Sequence, residues 1–417
     1  MENYSIVIFI MAIMIGLSAI ADKIKIPYPI LLIIAGMTIG FIPAIPDVEL
    51  NPDIVFLIFL PPMLYDAAFN ISFKEFRINI NTIGTLSVSL VFITVLGIAV
   101  IAHYCIPGMT WPLSFLLGAI LSATDAVAAM SVTKGLGLSH KTITILEGES
   151  LINDASALVA YRFAVAAVTG TSFVIWKASL SFVILLGGGF LAGFVLAKLL
   201  AFFLEHVKHN SMVVISLMLL MPFVTYLLAE ELHVSGVIAV VTLGLTISRF
   251  SNKVFPESLK HESKTFWDII VFLLNGLVFI LIGLEFPVVV KNIDHTEIWP
   301  YVGYGFLICI GALVLRMSRI FLQQINLQRA FQKNKGRITK DALLDFKNSL
   351  IISWSGMRGI VSLAIAIGLP FTLSDGSAFP QRNAIIFISV VVVLFTLIGQ
   401  GLTLPWLIRI LKIDKPK

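Results

Sequence analysis

The sequence predicts an all-α polytopic membrane protein with about 13 transmembrane helices, and three observations support this fold class. Of the 417 residues, 58% are hydrophobic and only 13% are charged. The mean hydropathy is +0.98, a value that excludes an ordinary soluble domain. The apolar residues also fall into long segments separated by polar stretches. Because the bilayer core offers no hydrogen-bond partners to the backbone, such segments are expected to be helices.

Thirteen apolar segments follow one another along the chain. The first one has no basic stretch before it and no small-residue cleavage site after it, so we expect a membrane span there and no signal peptide. Several segments are shorter than the roughly 20 residues of a straight span, or contain Gly or Pro, so tilted and interrupted helices are expected. Their approximate cores are 5–20, 30–45, 54–69, 82–102, 113–132, 143–168, 173–204, 212–229, 234–247, 266–290, 298–322, 347–370 and 384–410.

The distribution of Lys and Arg predicts the orientation. With the N-terminus outside, 24 of the 29 basic residues fall in inside loops or at inner segment ends, and three fall outside. Arg316 is counted at an inner end, and residues 323–347 are predicted to form an inside loop with or without an amphipathic helix. Arg162 and Arg358 lie in or near the membrane. The bias supports an outside N-terminus and an inside C-terminus. It also explains the net charge of +5 without a nucleic-acid partner.

Two of the predicted spans are interrupted by residues that form helices poorly. The fifth segment contains Ser-Ala-Thr-Asp-Ala at 122–126, and the twelfth contains Ser-Trp-Ser-Gly-Met-Arg-Gly at 353–359. The two segments lie an odd number of spans apart, so they run in opposite directions. Paired interrupted helices of opposite direction indicate an inverted-repeat transporter with a site near the middle of the membrane.

The sixth segment carries charged residues at the same depth. Its stretch Glu-Gly-Glu-Ser-Leu-Ile-Asn-Asp-Ala at 147–155 places three carboxylates and an amide in a predicted span. On a helix, Ser150 and Asp154 share one face, and Glu149 and Asn153 share the next. An oxygen-lined face suits a small, hard cation, and its carboxylate can hold a proton instead. Asp154 is therefore the leading candidate for a cation and proton site; the alternative is a structural acid paired with an arginine.

Other polar residues in the predicted spans leave more than one interpretation open. Asp125 either binds the ion or neutralises helix N-termini at the fifth-segment break, and Thr124 beside it is a candidate oxygen ligand. Arg358 needs a compensating charge, and Glu149 is the partner that we expect. Asp66 is either a remote ligand or gate, or an acid at an interface between helices.

Four motifs in this order resemble the monovalent cation/proton antiporters of the NhaP and sodium–hydrogen exchanger group. They are Leu-Pro-Pro-Met-Leu-Tyr-Asp at 60–66, Ala-Thr-Asp-Ala-Val-Ala at 123–128, Gly-Glu-Ser-Leu-Ile-Asn-Asp at 148–154 and Trp-Ser-Gly-Met-Arg-Gly at 354–359. The resemblance covers essentially the whole chain. One difference is Ala126, where many members of the group have proline, so the break in the fifth segment is less restricted covalently.

The resemblance implies an inverted-repeat antiporter fold, in which two broken helices cross, and a homodimer. It implies ion-transporting core helices at about 82–169 and 298–410, and dimerisation or scaffold helices at about 5–69 and 212–290, linked by 173–204. The core would move against the scaffold like an elevator.

The resemblance also implies roles for single residues. Asp154 would bind the cation and the proton, with Asn153 as its neutral neighbour, and Glu149 and Arg358 would form a structural ion pair. Ion-site oxygens would come from Thr124, Ser150 and Asp66. Electrogenic relatives have a second aspartate where this chain has Asn153, so the resemblance implies electroneutral exchange.

We therefore expect a secondary active transporter, with no cofactor, that exchanges Na⁺ or Li⁺ for H⁺ in a bacterial plasma membrane. The alternative is K⁺/H⁺ exchange on the same scaffold. A passive channel would give uncoupled currents. An aspartyl membrane protease would need a Gly-x-Gly-Asp motif, which the sequence lacks. The chain ends soon after its last predicted span, as expected of a bacterial-type protein or of a transport domain from a longer chain.

Overall fold

The computed structural model is built of helices. It describes residues 2–24, 28–42, 52–133, 136–170, 175–291, 293–333, 340–373 and 376–412, so residues 43–45 and 173–174 of the predicted spans lie outside it. In chain order the helices are α1 (Glu2–Ile24), α2 (Tyr28–Gly40), α3 (Pro52–Asn70), α4 (Phe73–Ile78), α5 (Ile80–Gly84), a π-helical turn (Thr85–Leu90), α6 (Val91–Cys105), α7 (Trp111–Ile120), α8 (Ala126–Thr133), α9 (His140–Val168), α10 (Ile175–Val207), α11 (Ser211–Glu231), α12 (Gly236–Val254), α13 (Glu257–Lys291), α14 (His295–Lys333), a 3-10 turn (Lys340–Ala342), α15 (Phe346–Trp354), α16 (Ile360–Ile367), α17 (Arg382–Phe395), a second π-helical turn (Thr396–Gln400) and α18 (Gly401–Ile410).

Eight helices of the described chain are long and apolar enough to cross a membrane. This confirms the prediction of an all-α, multi-pass membrane protein, whereas the number thirteen stays a prediction. The eight are Ile80–Cys105, His140–Val168, Val183–Val207, Ser211–Glu231, Gly236–Val254, Glu257–Lys291, His295–Lys333 and Arg382–Ile410.

The chain divides into two compact units. The first contains Met1–Leu50, Lys74–Thr171 and Gly276–Lys417, and the second contains Asn51–Phe73 and Ser172–Asn275. In the second unit α12 packs against α3, α10 and α11, and the ring of Tyr65 on α3 lies 5.1 Å from that of Trp267 on α13. The predicted division into core and scaffold helices is functional and stays a prediction.

Both predicted interruptions are present in the first unit. Between α7 and α8 the chain is not helical at 121–125, and between α15 and α16 it is not helical at 355–359. Ser139 begins α9 by accepting a hydrogen bond from the Thr142 amide, and Asp345 begins α15 in the same way through Asn348. These capped helices carry the polar side chains that meet at the two breaks.

Candidate functional site

The two breaks contact each other directly through their backbones. The amide N–H of Asp125 donates to the carbonyl oxygen of Met357 over 2.8 Å. Residues outside a helix lack regular intrahelical partners, so they can bond across to another segment. Gly359 makes this approach possible, because a β-carbon there would lie 2.5 Å from the Cβ of Asp125. The two interrupted helices therefore meet at one polar point in the interior.

Ser150 on α9 holds the first break in place. Its hydroxyl donates to the carbonyl oxygen of Thr124 over 3.0 Å and accepts from the amide of Ala126 over 3.3 Å. One side chain thus satisfies a backbone acceptor of the break and the first backbone donor of α8, neither of which has an intrahelical partner. The structure gives Ser150 a supporting role, and its predicted role as a cation ligand stays a prediction.

A chain of hydrogen bonds connects α9 to the first break and then to α14. Asn153 Nδ2 donates to Thr124 Oγ1 over 2.6 Å, and Thr124 Oγ1 donates to Glu149 Oε1 over 3.2 Å. Arg316 completes the chain, with Nη2 on Glu149 Oε2 at 2.9 Å and Nη1 on Glu149 Oε1. Such a fork of two parallel bonds fixes both the position and the orientation of a carboxylate.

The prediction that Glu149 pairs with Arg358 is therefore wrong, because the partner of Glu149 is Arg316. The side chain of Arg358 donates from Nε to the Leu121 carbonyl over 3.1 Å and from Nη1 to the Gly356 carbonyl over 2.7 Å. Carbonyls at the ends of the interrupted segments lack helical partners, so they attract a guanidinium. Arg358 thus joins the two breaks, while Arg316 neutralises Glu149.

Arg316 is the functional residue that the sequence did not reveal. The sequence predicts an inner helix end at this position, but α14 continues to Lys333, and the Arg316 side chain is only 2% exposed. Its Nε and Nη2 also donate to the carbonyl of Ile352 over 3.2 and 2.9 Å. A β-carbon at Gly356 would lie 2.9 Å from its Cζ, so this glycine leaves space for the guanidinium. The sequence does contain a signal for this role: Arg316 lies in the predicted apolar segment 298–322, and that segment contains no Asp or Glu to neutralise it.

Asp125 acts as the N-cap of α8. Its Oδ1 accepts from the amides of Val127 and Ala128 over 2.8 and 3.1 Å. This geometry is the one expected of an acid that compensates a helix N-terminus. Of the two interpretations of Asp125, the structure displays the neutralising role, and ion binding stays a prediction.

Asp154 differs from the other charged groups at the breaks. Its side chain is 8% exposed, and among the described residues it has no hydrogen-bond partner. A buried carboxylate without a donor is costly in its ionised form, so it favours either a proton or a cation.

A small cavity borders the hydrogen-bonded side chains of Asn153, Thr124, Glu149 and Arg316. Its volume is about 10 Å³, at the lower limit of what one water molecule needs. Asn153 lines it and is 1% exposed, and its Oδ1 has no hydrogen-bond partner in the described chain. The remaining lining residues are Leu86, Leu90, Val91, Thr94, Ser122, Thr124, Glu149, Arg316 and Arg358.

Asp66 belongs to the second unit. Its Oδ1 accepts a hydrogen bond from Asn70 Nδ2 over 2.8 Å, one helical turn later on α3. This bond lies within a single helix. A role for Asp66 as a ligand or a gate stays a prediction.

Comparison with known proteins identifies the family. The family model described as "Sodium/hydrogen exchanger, transmembrane" matches residues 7–410. The chain is 36% identical to the sodium, potassium, lithium and rubidium/H⁺ antiporter of Bacillus pumilus over 391 residues, which are 92% of this chain and 58% of that protein. It is 34% identical to the Na⁺/H⁺ antiporter ApNhaP of Aphanothece halophytica, with coverage of 98% and 75%.

A solved structure shows the same fold. The sodium proton antiporter MjNhaP1 from Methanocaldococcus jannaschii matches with a TM-score of 0.73 at 22% identity, over 98% of this chain and 99% of that one. The family model covers nearly every span, and the helices that carry the two breaks lie within the matched range. The chain therefore belongs to the transmembrane sodium/hydrogen exchanger family.

Proposed function

We propose that this protein is a secondary active antiporter that exchanges Na⁺, or Li⁺, for H⁺, with both ions competing for Asp154. The observation that carries the proposal is the contrast between Asp154 and its neighbours. Arg316 neutralises Glu149, two carbonyls bind Arg358, and Asp125 caps a helix. Asp154 alone among these charged side chains has no hydrogen-bond partner in the described residues.

The charges around the breaks support a stoichiometry of one cation to one proton. Three carboxylates (Asp125, Glu149 and Asp154) face two guanidiniums (Arg316 and Arg358), so the group carries a net charge of −1 when Asp154 is ionised. One proton or one Na⁺ brings the sum to zero. Both loaded forms are then equally neutral, which makes the exchange insensitive to membrane potential. The unloaded form keeps its charge and has a desolvation cost to cross, so exchange is coupled.

Oxygen atoms around Asp154 would complete the coordination of the cation. Thr124 and Ser150 already make hydrogen bonds through their hydroxyls, but a hydroxyl oxygen has two lone pairs and can accept a cation as well. Asn153 would act as the neutral neighbour that keeps Thr124 oriented. Asp125 is a further candidate for ion contact.

We also propose a homodimer in a bacterial plasma membrane, with the N-terminus outside and the C-terminus in the cytoplasm. The distribution of Lys and Arg supports this orientation. The core helices at about 82–169 and 298–410 would carry Asp154 between the two faces by an elevator-like movement. Chemical cross-linking in native membranes tests the dimer, and a monomer alone would contradict it.

Transport by purified protein in proteoliposomes with an acidic lumen tests the exchange. Addition of Na⁺ outside should raise the lumenal pH at the same rate with and without a clamped membrane potential. Asp154→Asn should fold and lose this signal, because an amide cannot exchange a proton for a cation. Asp341→Asn, at an exposed carboxylate of the 3-10 turn, is the matched control and should retain it. Full exchange by Asp154→Asn would refute the mechanism.

A second candidate is exchange of K⁺ for H⁺ on the same scaffold. The relative from Bacillus pumilus is named for sodium, potassium, lithium and rubidium, and it is 36% identical to this chain. The same assay with K⁺ and Rb⁺ separates the candidates: a response to K⁺ alone would replace the Na⁺ proposal, and a response to all four ions would broaden it.

A further inference from the structure

The π-helical turn Thr396–Gln400 lies between α17 and α18, inside the apolar span Arg382–Ile410. A π turn has one residue more than an α turn, and it often displaces a side chain toward a functional site. Its first residue, Thr396, is 1% exposed.

The Thr396 hydroxyl makes two hydrogen bonds over ordinary distances. It donates to the carbonyl of Val393 over 3.0 Å and accepts from the backbone amide of Arg358 over 3.1 Å. Arg358 lies in the second break, beyond the end of α15, and its amide donates to this side chain instead of to a carbonyl of its own helix. Thr396 therefore supplies the acceptor for a buried N–H of the break.

The amide of Arg358 and the carbonyl of Met357 belong to one planar peptide group. On one edge of that plane, the Met357 carbonyl accepts from the Asp125 amide over 2.8 Å. On the other edge, the Arg358 amide donates to Thr396. Because the peptide is rigid, a rotation that breaks one of these bonds also misaligns the other.

Thr396 has a counterpart at the first break. There, Ser150 accepts from the amide of Ala126, one residue beyond Asp125. Each break is thus held by a hydroxyl from further along the chain, beyond the short helix that follows the break: Ser150 on α9 after α8, and Thr396 in the π turn after α16 and α17. With both hydroxyls in place, the backbone at residues 124–126 is fixed from two directions.

We propose that Thr396 is a positioning residue for cation exchange. It orients the Met357–Arg358 peptide, which in turn holds the backbone of Thr124 and Asp125 beside Asp154. The proposal rests on the exchange activity proposed above, but its structural part can be measured separately.

Two substitutions and a control separate positioning from general destabilisation. Thr396→Val keeps the shape of the side chain and removes the acceptor, whereas Thr396→Ser keeps the hydroxyl. Ser389→Ala is the control: Ser389 lies on α17, is fully buried, and its hydroxyl has no hydrogen-bond partner among the described residues. Sodium-driven alkalinisation gives KM and Vmax for each protein.

Thr396→Val should raise the KM for Na⁺ by about fivefold or more, as expected when a buried N–H loses its acceptor. Its ratio of Na⁺ to Li⁺ transport should also change, since ligand positions at the break move. Thr396→Ser and Ser389→Ala should stay within about twofold of the unmodified protein, because neither loses a hydrogen bond of the break. Unaltered KM and ion preference in Thr396→Val, or an equal change in Ser389→Ala, would overturn the proposal.

Hydrogen–deuterium exchange measures the same effect without transport. Thr396→Val should speed exchange of the Asp125 amide, read in a peptide that covers 121–126, and Ser389→Ala should not. If the unmodified protein moves no cation, the proposed function fails, and this measurement still decides whether Thr396 orients the break. If the unmodified protein does transport cations but hydrogen–deuterium exchange at the Asp125 amide is unchanged in Thr396→Val, the inference is refuted.

Discussion

A double-mutant cycle tests which arginine neutralises Glu149. The variants are Glu149→Gln, Arg316→Met, Arg358→Met and the two doubles that contain Glu149→Gln. Arg316 makes two bonds to the Glu149 carboxylate and two to the Ile352 carbonyl, and the pair is almost fully buried. Removing one partner of such a buried pair costs about 3–5 kcal/mol, because the other charge is left uncompensated.

The coupling energy of each pair is the difference between the effect of the double variant and the sum of the two single effects on the free energy of unfolding. Residues in direct contact couple by about 0.5–3 kcal/mol, and a fork of two charged bonds belongs at the upper end, so we expect about 2–3 kcal/mol for Glu149 with Arg316. For Glu149 with Arg358, which bonds to carbonyls instead, we expect less than about 1 kcal/mol.

The assay is reversible unfolding in mixed micelles, followed by tryptophan fluorescence, with the free energy of unfolding compared among the variants. Arg319→Met is the control, since Arg319 lies one turn further on α14 and donates to Ser89 over 3.3 Å. In a further double variant with Glu149→Gln, the effect of Arg319→Met on the free energy of unfolding should add to that of Glu149→Gln. A larger coupling for Arg358 than for Arg316 would refute the assignment of the ion pair.

Three further predictions concern the breaks and the ion competition. Ser150→Ala should lower the free energy of unfolding by about 1–3 kcal/mol and slow transport, because two backbone groups lose their hydrogen-bond partner. Ser156→Ala is the control and should cost less, since the Ser156 hydroxyl bonds only to its own helix. Equal costs for the two variants would contradict the role of Ser150. Gly359→Ala should abolish transport in proteoliposomes because its β-carbon meets Asp125, and normal flux would exclude the close approach. The apparent KM for Na⁺ should rise as the pH falls, because one carboxylate binds either Na⁺ or a proton. Below the pH at which the site is half protonated, the rise should reach about tenfold per pH unit. A KM that does not depend on pH would exclude competition.

Much of the fold was predictable because it follows from local composition. The apolar segments and the two interruptions, near 122–126 and 353–359, were visible in the sequence, and the structure has them at 121–125 and 355–359. Glycines, and other residues that favour turns, tend to end helices wherever they lie in the sequence. These interruptions could therefore be predicted without knowledge of tertiary contacts. The placement of Ser150, Asn153 and Asp154 on α9 followed from helical spacing in the same way.

The partners across the site were not predictable, because they depend on how distant segments meet. The expected loop at 323–347 begins as helix, so Arg316 lies 17 residues before the end of α14 and well inside the span. The distribution of Lys and Arg describes which side a loop occupies, and it cannot distinguish a basic residue at a helix end from one that has a buried acid to neutralise. The role of Thr396 depends on a π turn, which hydropathy does not indicate.

The ion pair of Glu149 and Arg316 also has a consequence for the synthesis of the chain. The two residues are 167 positions apart. At about 5–20 residues per second, the ribosome makes Glu149 roughly 8–33 s before Arg316. During that interval the acid has entered a membrane segment and its counterion does not yet exist. A nascent chain that stops before residue 316 would keep this uncompensated acid, so we expect insertion factors or membrane proteases to recognise it. Final packing of α9 would then wait for α14, and the transport core would be completed only after residue 316 has been translated.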